Sequence, residues 1–575
     1  MNVPFRHLQT ASKSLSQAAQ EALSSHSDIP PKVSYTPGPG PNEPCAENVT
    51  MFQAFEWNCP KDQKHWTRLA TAMPSLKAIG IDNMWIPPGC KGGWHGSNGY
   101  DIYDLYDLGE FEQKDSRGTK WGTKDELDDM MAVARKLGVG IYWDAVLNHK
   151  AAADFSEPCY AVKVDPKDRT KELGKPTEIE AWTGFDFAGR KGRYSPMKYR
   201  WHHFTGTDYD HRTQTNGVFK FLGRGKKDWA KDVDDELGNY DYLMFADIDH
   251  SNPEVREDVF RWGEWIGQEV GISGIRFDAV KHYSEDFLRD FVRHLDRTVG
   301  NKWFLVGEYW RDDLEVLAGY IKRMGYRLSL FDVPLVSNLA RISMARKPDL
   351  RLVFKDTLAL HHPLNAVTFV QNHDTVSVLP YKPRFSSTNK PQQERGSLET
   401  IVTPDFMAHA HALILLRLSP AYPCIFYGDL YGILGSRSRP PACGGQLPKM
   451  ILARKLYAYG GMNEYLDEKE CIGWTRLGHP SKSNGAGLAV LLNSSRASYG
   501  HKRMNVGKHH AGETWTDIMS WAWGEVCIDQ EGWGTFPVGP RSVGVWVNAR
   551  SEGRRGLDHL VFDDDIYKQA ACVTS

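Results

Sequence analysis

The sequence has almost no net charge. Seventy Lys and Arg face 72 Asp and Glu, a formal charge of −2. A general polyanion grip needs a basic excess, so nucleic acid is not an expected partner. No stretch approaches the ~20 continuous apolar residues of a bilayer span, which excludes a membrane-spanning protein. The cysteines (Cys45, Cys59, Cys90, Cys159, Cys424, Cys443, Cys471, Cys527 and Cys572) are odd in number and scattered. None forms a CxxC pair, which speaks against a zinc knuckle. The opening "MNVPFRHLQTASKSLSQAAQEALSS" lacks the apolar core of a secretory signal. The expected location is therefore the cytoplasm, with the thiols reduced.

Aromatics, by contrast, are plentiful, with 19 Trp and 24 Tyr. Most pack cores and surfaces, and some are available to stack on a ligand. A chain of 575 residues has room for a large core and several domains.

Residues 1–45 are polar and end in a Pro/Gly run, which reads as an extension or surface arm. Then a rhythm begins. Short apolar strands are expected at 49–57, 83–88, 140–146, 274–280, 304–310, 327–335, 366–374 and 423–429. Helical segments separate them, among them 65–79, 123–137, 253–270, 284–298 and 405–418. Eight strands alternating with helices predict an α/β fold, a (β/α)₈ TIM barrel. A doubly wound open sheet is the alternative. The placement of polar residues favours the barrel. Asp144, Asn148, His149, Arg276, Asp278, Glu308, His373 and Asp374 fall at or just past the C-terminal ends of the predicted strands. That end is the catalytic face of barrel enzymes.

About a hundred residues separate the third and fourth strands, too many for a structureless loop. Residues 150–246 are therefore predicted to be a small inserted β-rich domain between barrel segments 46–149 and 247–450. From 451 to 549 short alternating runs predict a C-terminal antiparallel β-sandwich, followed by a charged tail, 550–575.

In "SGIRFDAVKHY" (273–283), Arg276 and Asp278 stand two apart on a predicted strand and so share a face. Burying such a pair is costly unless it is closely matched. Glu308, in "VGEYW", and Asp374, in "QNHDT", end two other strands. One acid at a strand end is ordinary. Three converging on one barrel mouth are hard to explain structurally, because like charges push each other's pKa values apart. Arg276 is positioned to keep Asp278 ionised. Val306, Tyr309 and Trp310 surround Glu308 with apolar surface that raises its pKa. Two carboxyls with separated pKa values are the pattern of glycoside chemistry. A metal-dependent hydrolase is the rival, but no HExxH or HxH stands near these strand ends.

At these residues the sequence resembles the α-amylase family of glycoside hydrolases. "DAVLNH" (144–149), "GIRFDAVKH" (274–282), "VGEYW" (306–310) and "FVQNHD" (369–374) occur in that order. The resemblance spans about 49–549. It looks closest to the liquefying bacterial amylases and, without a secretory signal, is similar to the intracellular fungal members. It implies that Asp278 is the nucleophile, Glu308 the general acid and base, and Asp374 the transition-state stabiliser. Arg276 would orient Asp278. His149 and His373 would hydrogen-bond the reacting glucose and Tyr100 would stack on it. Lys281 and His282 would lie on the leaving-group side. It also implies one structural calcium on Asn148, Asp241, Asp247 and the His282 carbonyl, all oxygen ligands as calcium prefers.

The sequence departs from the bacterial pattern at Thr205 and Ser251, where those relatives use acids for a further sodium and calcium. The additional ions are therefore expected to be absent or weak. The segment after Asp374 is longer than its counterpart, and 436–445 is shorter. The expected activity is retaining, endo-acting hydrolysis of α-1,4-glucans or maltooligosaccharides by a monomer. A 4-α-glucanotransferase serving α-glucan synthesis is the alternative. A non-catalytic glucan-binding protein is a third reading.

Overall fold

The computed structural model describes residues 34–40, 42–223, 228–376, 400–417, 421–435 and 438–567. The extension up to residue 33 and most of the long segment after Asp374 lie outside the described residues.

Eight parallel strands close into a barrel. In chain order they are β1 (Met51–Gln53), β2 (Asn83–Trp85), β3 (Gly140–Ala145), β4 (Gly274–Phe277), β5 (Phe304–Gly307), β6 (Ser329–Phe331), β7 (Ala366–Thr368) and β8 (Tyr422–Phe426). Each pairs with its neighbours in sequence, and β8 returns to β1 through Phe426 opposite Gln53. The TIM-barrel expectation is met, and each predicted strand segment overlaps one barrel strand. The strands are shorter than predicted. The chain beyond β6 enters the helix Val333–Met344, and beyond β8 the helix Tyr427–Tyr431. Apolar residues there continue the hydrophobic run, so composition alone does not mark the strand end.

The helices begin and end where local chemistry says they should. In Lys124–Leu137, Thr123 and Glu126 form a reciprocal capping box, and Gly138 closes the helix at φ 62. Asn252 caps Pro253–Val270, whose proline occupies a first-turn position that needs no amide donor. Ser284 caps Glu285–Thr298, which buries Phe287, Leu288, Phe291, Val292 and Leu295 on one side. Burying each such side chain contributes roughly 1.5–3 kcal/mol. The predicted helix 405–418 instead runs through a 3₁₀ turn, the helix Met407–Ala412 and a π turn at Leu413–Arg417.

Between β3 and β4 lies a six-stranded sheet whose outer strands at one side are His149–Lys150 and Ala246–Ile248. Asp247 pairs with His149, so the chain leaving the barrel and the chain returning to it are bonded to each other. At the C-terminal end, a seven-stranded antiparallel sheet packs against the pair Gly500–Asn505 and Trp533–Val538. Its core includes Tyr465, Met504, Trp515, Phe536 and Trp546. Ser34–Thr36 joins this sheet beside Met462–Tyr465. No described helix is long and apolar enough to cross a membrane.

Candidate active site

Arg276 is the hub of the barrel mouth. Its place on β4 and the pleat direct its side chain to the same side as Asp278. Its Nη1 donates to Asp144 Oδ1 at 2.7 Å and to Asp278 Oδ1 at 2.7 Å. Its Nη2 lies 2.9 Å from Glu308 Oε2. The guanidinium also sits 4.8 Å from the centre of the Trp85 ring. One buried cation thus serves three buried carboxylates, one each from β3, the end of β4 and the end of β5.

The loops hold the acids firmly. Asp278 N donates to Ala145 O at 3.0 Å, and Glu308 N donates to Phe277 O at 2.9 Å. Ala279 follows Asp278 in the left-handed region at φ 50, a conformation that costs an alanine free energy. That turn aims Ala279 N at Glu308 Oε2, 3.3 Å away.

Burial pushes both Asp278 and Glu308 up from their ordinary values, and Arg276 opposes the rise. The guanidinium therefore moderates the shift on Asp278 without reversing it. Glu308 is raised further by the charge of Asp278. Asp278 has the lower ordinary value to begin with. Asp374 rises to about 8 through burial and the nearby Glu308. Asp144 rises to about 7, chiefly by burial.

Around the acids stands a wall of rings. Tyr100 stacks on His373 at 5.1 Å and on Trp57 at 6.0 Å, with interplanar angles of 9° and 10°. The Tyr100 hydroxyl donates to Asp144 Oδ2 at 2.8 Å, and Trp85 Nε1 donates to the same oxygen at 2.9 Å. Gln53 Nε2 donates to His373 Nδ1 at 2.9 Å, which leaves the proton of a neutral His373 on Nε2. That nitrogen is 3.4 Å from Asp374 Oδ2. Burial lowers His373 far below the ordinary histidine value. His149 Nε2 bonds the Tyr100 carbonyl at 2.7 Å, so His149 fixes the strap that carries the tyrosine.

Lys281 and His282 lie beyond Asp278 on the same loop. Lys281 Nζ contacts Glu236 Oε2 at 2.5 Å and Trp310 O at 2.9 Å. His282 Nδ1 bonds the Tyr240 carbonyl at 2.9 Å.

Asn148, Asp241 and Asp247 form a second acidic cluster. Burial raises both Asp241, to about 8, and Asp247, and neighbouring carboxylates add to the rise, Asp249 on Asp241 and Asp241 on Asp247. Asn148 Nδ2 donates to Asp247 Oδ1 at 3.3 Å, while the buried Asn148 Oδ1 has no hydrogen-bond partner. An orphaned carbonyl oxygen beside two buried carboxylates fits a hard cation. Thr205 Oγ1 donates to Asp247 Oδ2, and Ser251 Oγ donates to Asp249 Oδ1. Hydroxyl donors thus stand where further acids would enlarge the cluster. His202, His203 and Glu254 also cluster. There, however, His203 Nδ1 accepts from Arg200 N, so the proton of the neutral ring is on Nε2, facing Glu254. That is a hydrogen bond and not an open ligand set.

Three residues at the mouth escaped the candidate set read from sequence. Asp144 was placed at a strand end but given no role. Trp57 carried no signal beyond the aromatic excess. Glu56 is fully buried and accepts from Asn58 N at 2.7 Å and Leu434 N at 3.2 Å, bracing the loop that presents Trp57.

The alpha amylase catalytic-domain family matches residues 65–471, and the alpha-amylase C-terminal family matches 488–547. An alpha-amylase of Bacillus licheniformis is 43% identical over 502 residues, 87% of this chain and 93% of that protein. A cytoplasmic alpha-amylase of Escherichia coli is 35% identical over 514 residues, 87% of this chain and 99% of that protein. The crystal structure of an Anoxybacillus alpha-amylase superposes with a TM-score of 0.54 at 16% identity, covering 87% of this chain and 97% of the other.

Proposed function

This chain belongs to the α-amylase family, a glycoside hydrolase of α-1,4-glucans, and we propose that it cleaves them with retention through a covalent glucosyl ester on Asp278. The observation that carries the reading is the Arg276 fork, which binds Asp278 on one side and Glu308 on the other. Two carboxyls bridged by one guanidinium favour the close spacing of retaining enzymes over the wider spacing that leaves room for an inverting water.

In the first step Asp278 attacks the anomeric carbon while Glu308 gives its proton to the departing oxygen. In the second, Glu308 takes a proton from water, which attacks the same carbon and releases Asp278. The double displacement returns the α configuration. Asp374 and His373 Nε2 face the cleft as acceptor and donor for the hydroxyls of the reacting sugar. The stacked Trp57 and Tyr100 offer flat apolar surface to its ring.

Asn148, Asp241, Asp247 and the carbonyl of His282 would hold one calcium ion, whose charge would neutralise the buried acids between barrel and insert. Thr205 and Ser251 argue for that ion without a sodium and second calcium beside it. Endo action inside the cell, by a monomer, is the physiological setting we favour.

The test is incubation of the pure protein with maltoheptaose, with products resolved by length and by anomer. Shorter products released first as the α anomer are expected. First-formed β anomer would overturn the retaining mechanism. Products longer than the substrate would identify a glucanotransferase, and bound but unchanged substrate a binding protein.

A further inference from the structure

Six residues beside the acid's loop form a network that the chemistry above does not use. Asp234 lies in the inserted segment, with its carboxylate almost wholly buried. Its Oδ2 accepts from the Tyr309 hydroxyl at 2.8 Å. Its Oδ1 accepts from Glu236 N at 2.8 Å and from Arg311 Nη1 at 2.5 Å. Arg311 reaches on to Asp235 at 3.3 Å and stands 3.8 Å from Glu236 Oε1. The other oxygen of Glu236 holds Lys281 Nζ. Asp234 N also donates to the Lys281 carbonyl at 3.0 Å.

The network has a definite place. Glu308, Tyr309, Trp310 and Arg311 are consecutive, and Lys281 donates to the Trp310 carbonyl. In the reading proposed above, Glu308 must stand beside the departing oxygen. Lys281 and Glu236 therefore wall the side where the leaving sugar sits and where an incoming acceptor arrives. Lys281 spends two of its three N–H groups on Glu236 and Trp310, which leaves one for a sugar hydroxyl. Leu237, next to Glu236, is held at φ 55, a strained conformation for a leucine.

Resting on that reading, we propose that Arg311 is a positioning residue for the leaving-side sugar. Its planar fork ties Asp234 and Glu236 together, and so fixes the Glu236–Lys281 pair against the acid's own loop. Without it, Asp234 and Glu236 are neighbouring carboxylates competing for Lys281, and the pair is free to leave the cleft wall.

The experiment compares two substrates on the full chain. Maltoheptaose places glucose units on both sides of the cleavage point. A chloronitrophenyl maltotrioside places only an aryl leaving group there. Wild-type turnover of the aryl glycoside reports on the proposed activity itself. The ratio of kcat/KM between the two substrates reports on Arg311. Arg311→Gln is expected to lower the maltoheptaose-to-aryl ratio roughly tenfold, mostly through KM, because a charge-assisted contact to ground state and transition state alike is lost. Arg311→Lys keeps a cation at Asp234 but loses the fork, and is expected to recover part of the ratio. An equal fall on both substrates, or an unchanged ratio in Arg311→Gln with its melting temperature retained, overturns the proposal.

Discussion

Two groups of buried acids lie at the two ends of the stretch Asp144–Asn148 and beyond, and they are solved differently. At the barrel mouth Asp144, Asp278 and Glu308 share the guanidinium of Arg276. At the base of the insert, Asp241 and Asp247 have amide and hydroxyl donors, Ala230 N for one and Thr205 for the other, but no ion pair among the described residues. The first cluster carries its own cation and is complete when the chain folds. In the calcium reading proposed above, the second, whose acids are buried close together, would become favourable when a cation enters. On the proposed reading, charge in the first would serve chemistry, and in the second would hold the insert.

The comparison is broken most severely at Asp278. Asp278→Asn is expected to cut turnover of maltoheptaose by on the order of 10⁴-fold or more while the protein stays folded. Retained activity in that variant would refute the nucleophile assignment.

The second cluster answers to metal. If calcium at a hundred times its Kd contributes about 2.7 kcal/mol, chelation lowers the melting temperature of a chain this long by roughly 2–3 °C. Asp241→Asn should then behave oppositely in the two conditions, lowering the melting temperature in calcium and raising it in chelator. The sign follows from the raised folded-state pKa. In chelator, the stability contributed by Asp241 is full below the ordinary aspartate value and is lost as pH rises towards about 8. Thermal scans from pH 4 to 8 should slope downward in chelator and flatten in calcium. Identical slopes would remove the cation from the account.

The pH dependence of turnover separates the clusters from the other side. Glu308 must hold its proton to act as the acid, and burial raises its pKa. Turnover in saturating calcium should fall at a pH above the ordinary glutamate range, and Glu308→Gln should abolish that limb along with most activity. A smaller effect is expected from Thr205→Asp. The added carboxylate faces Asp247, so bound cation per chain, measured by metal analysis, should rise, and stability in chelator should fall by about 1 kcal/mol. An unchanged ion count would show that Thr205 does not limit the cluster.

Much of this was legible in the sequence. Strand spacing and strand-end acids gave away the barrel, because the pleat forces Arg276 and Asp278 to one side. Asp278, Glu308 and Arg276 converge as the motifs implied, and His373 joins them through Gln53 and the stacked rings. The strand ends were less legible. Val333 and Tyr427 continue apolar runs yet begin helices, a choice made by packing. The bond from His149 to the Tyr100 carbonyl was also hidden, since nothing local shows that its Nε2 meets a carbonyl 49 residues earlier. Glu236 was invisible for the same reason. An acidic stretch reads as solvated surface until the fold brings it to Lys281.

The closing pair of the barrel has a consequence for how the molecule is made. Gln53 in β1 finds its partner in Phe426 of β8, roughly 370 residues later. At about 5–20 residues per second, that partner leaves the ribosome on the order of 20–70 s after β1 does. Tyr567 later seats its hydroxyl on Tyr427 and its ring beside Arg68, again joining late chain to early chain. Such long-range pairings make folding slow. Through that interval β1 carries an apolar edge with unpaired amides, the form of surface most prone to recruit another chain. Synthesis rate and chaperone supply are thus expected to govern the yield of this enzyme more than its final stability does.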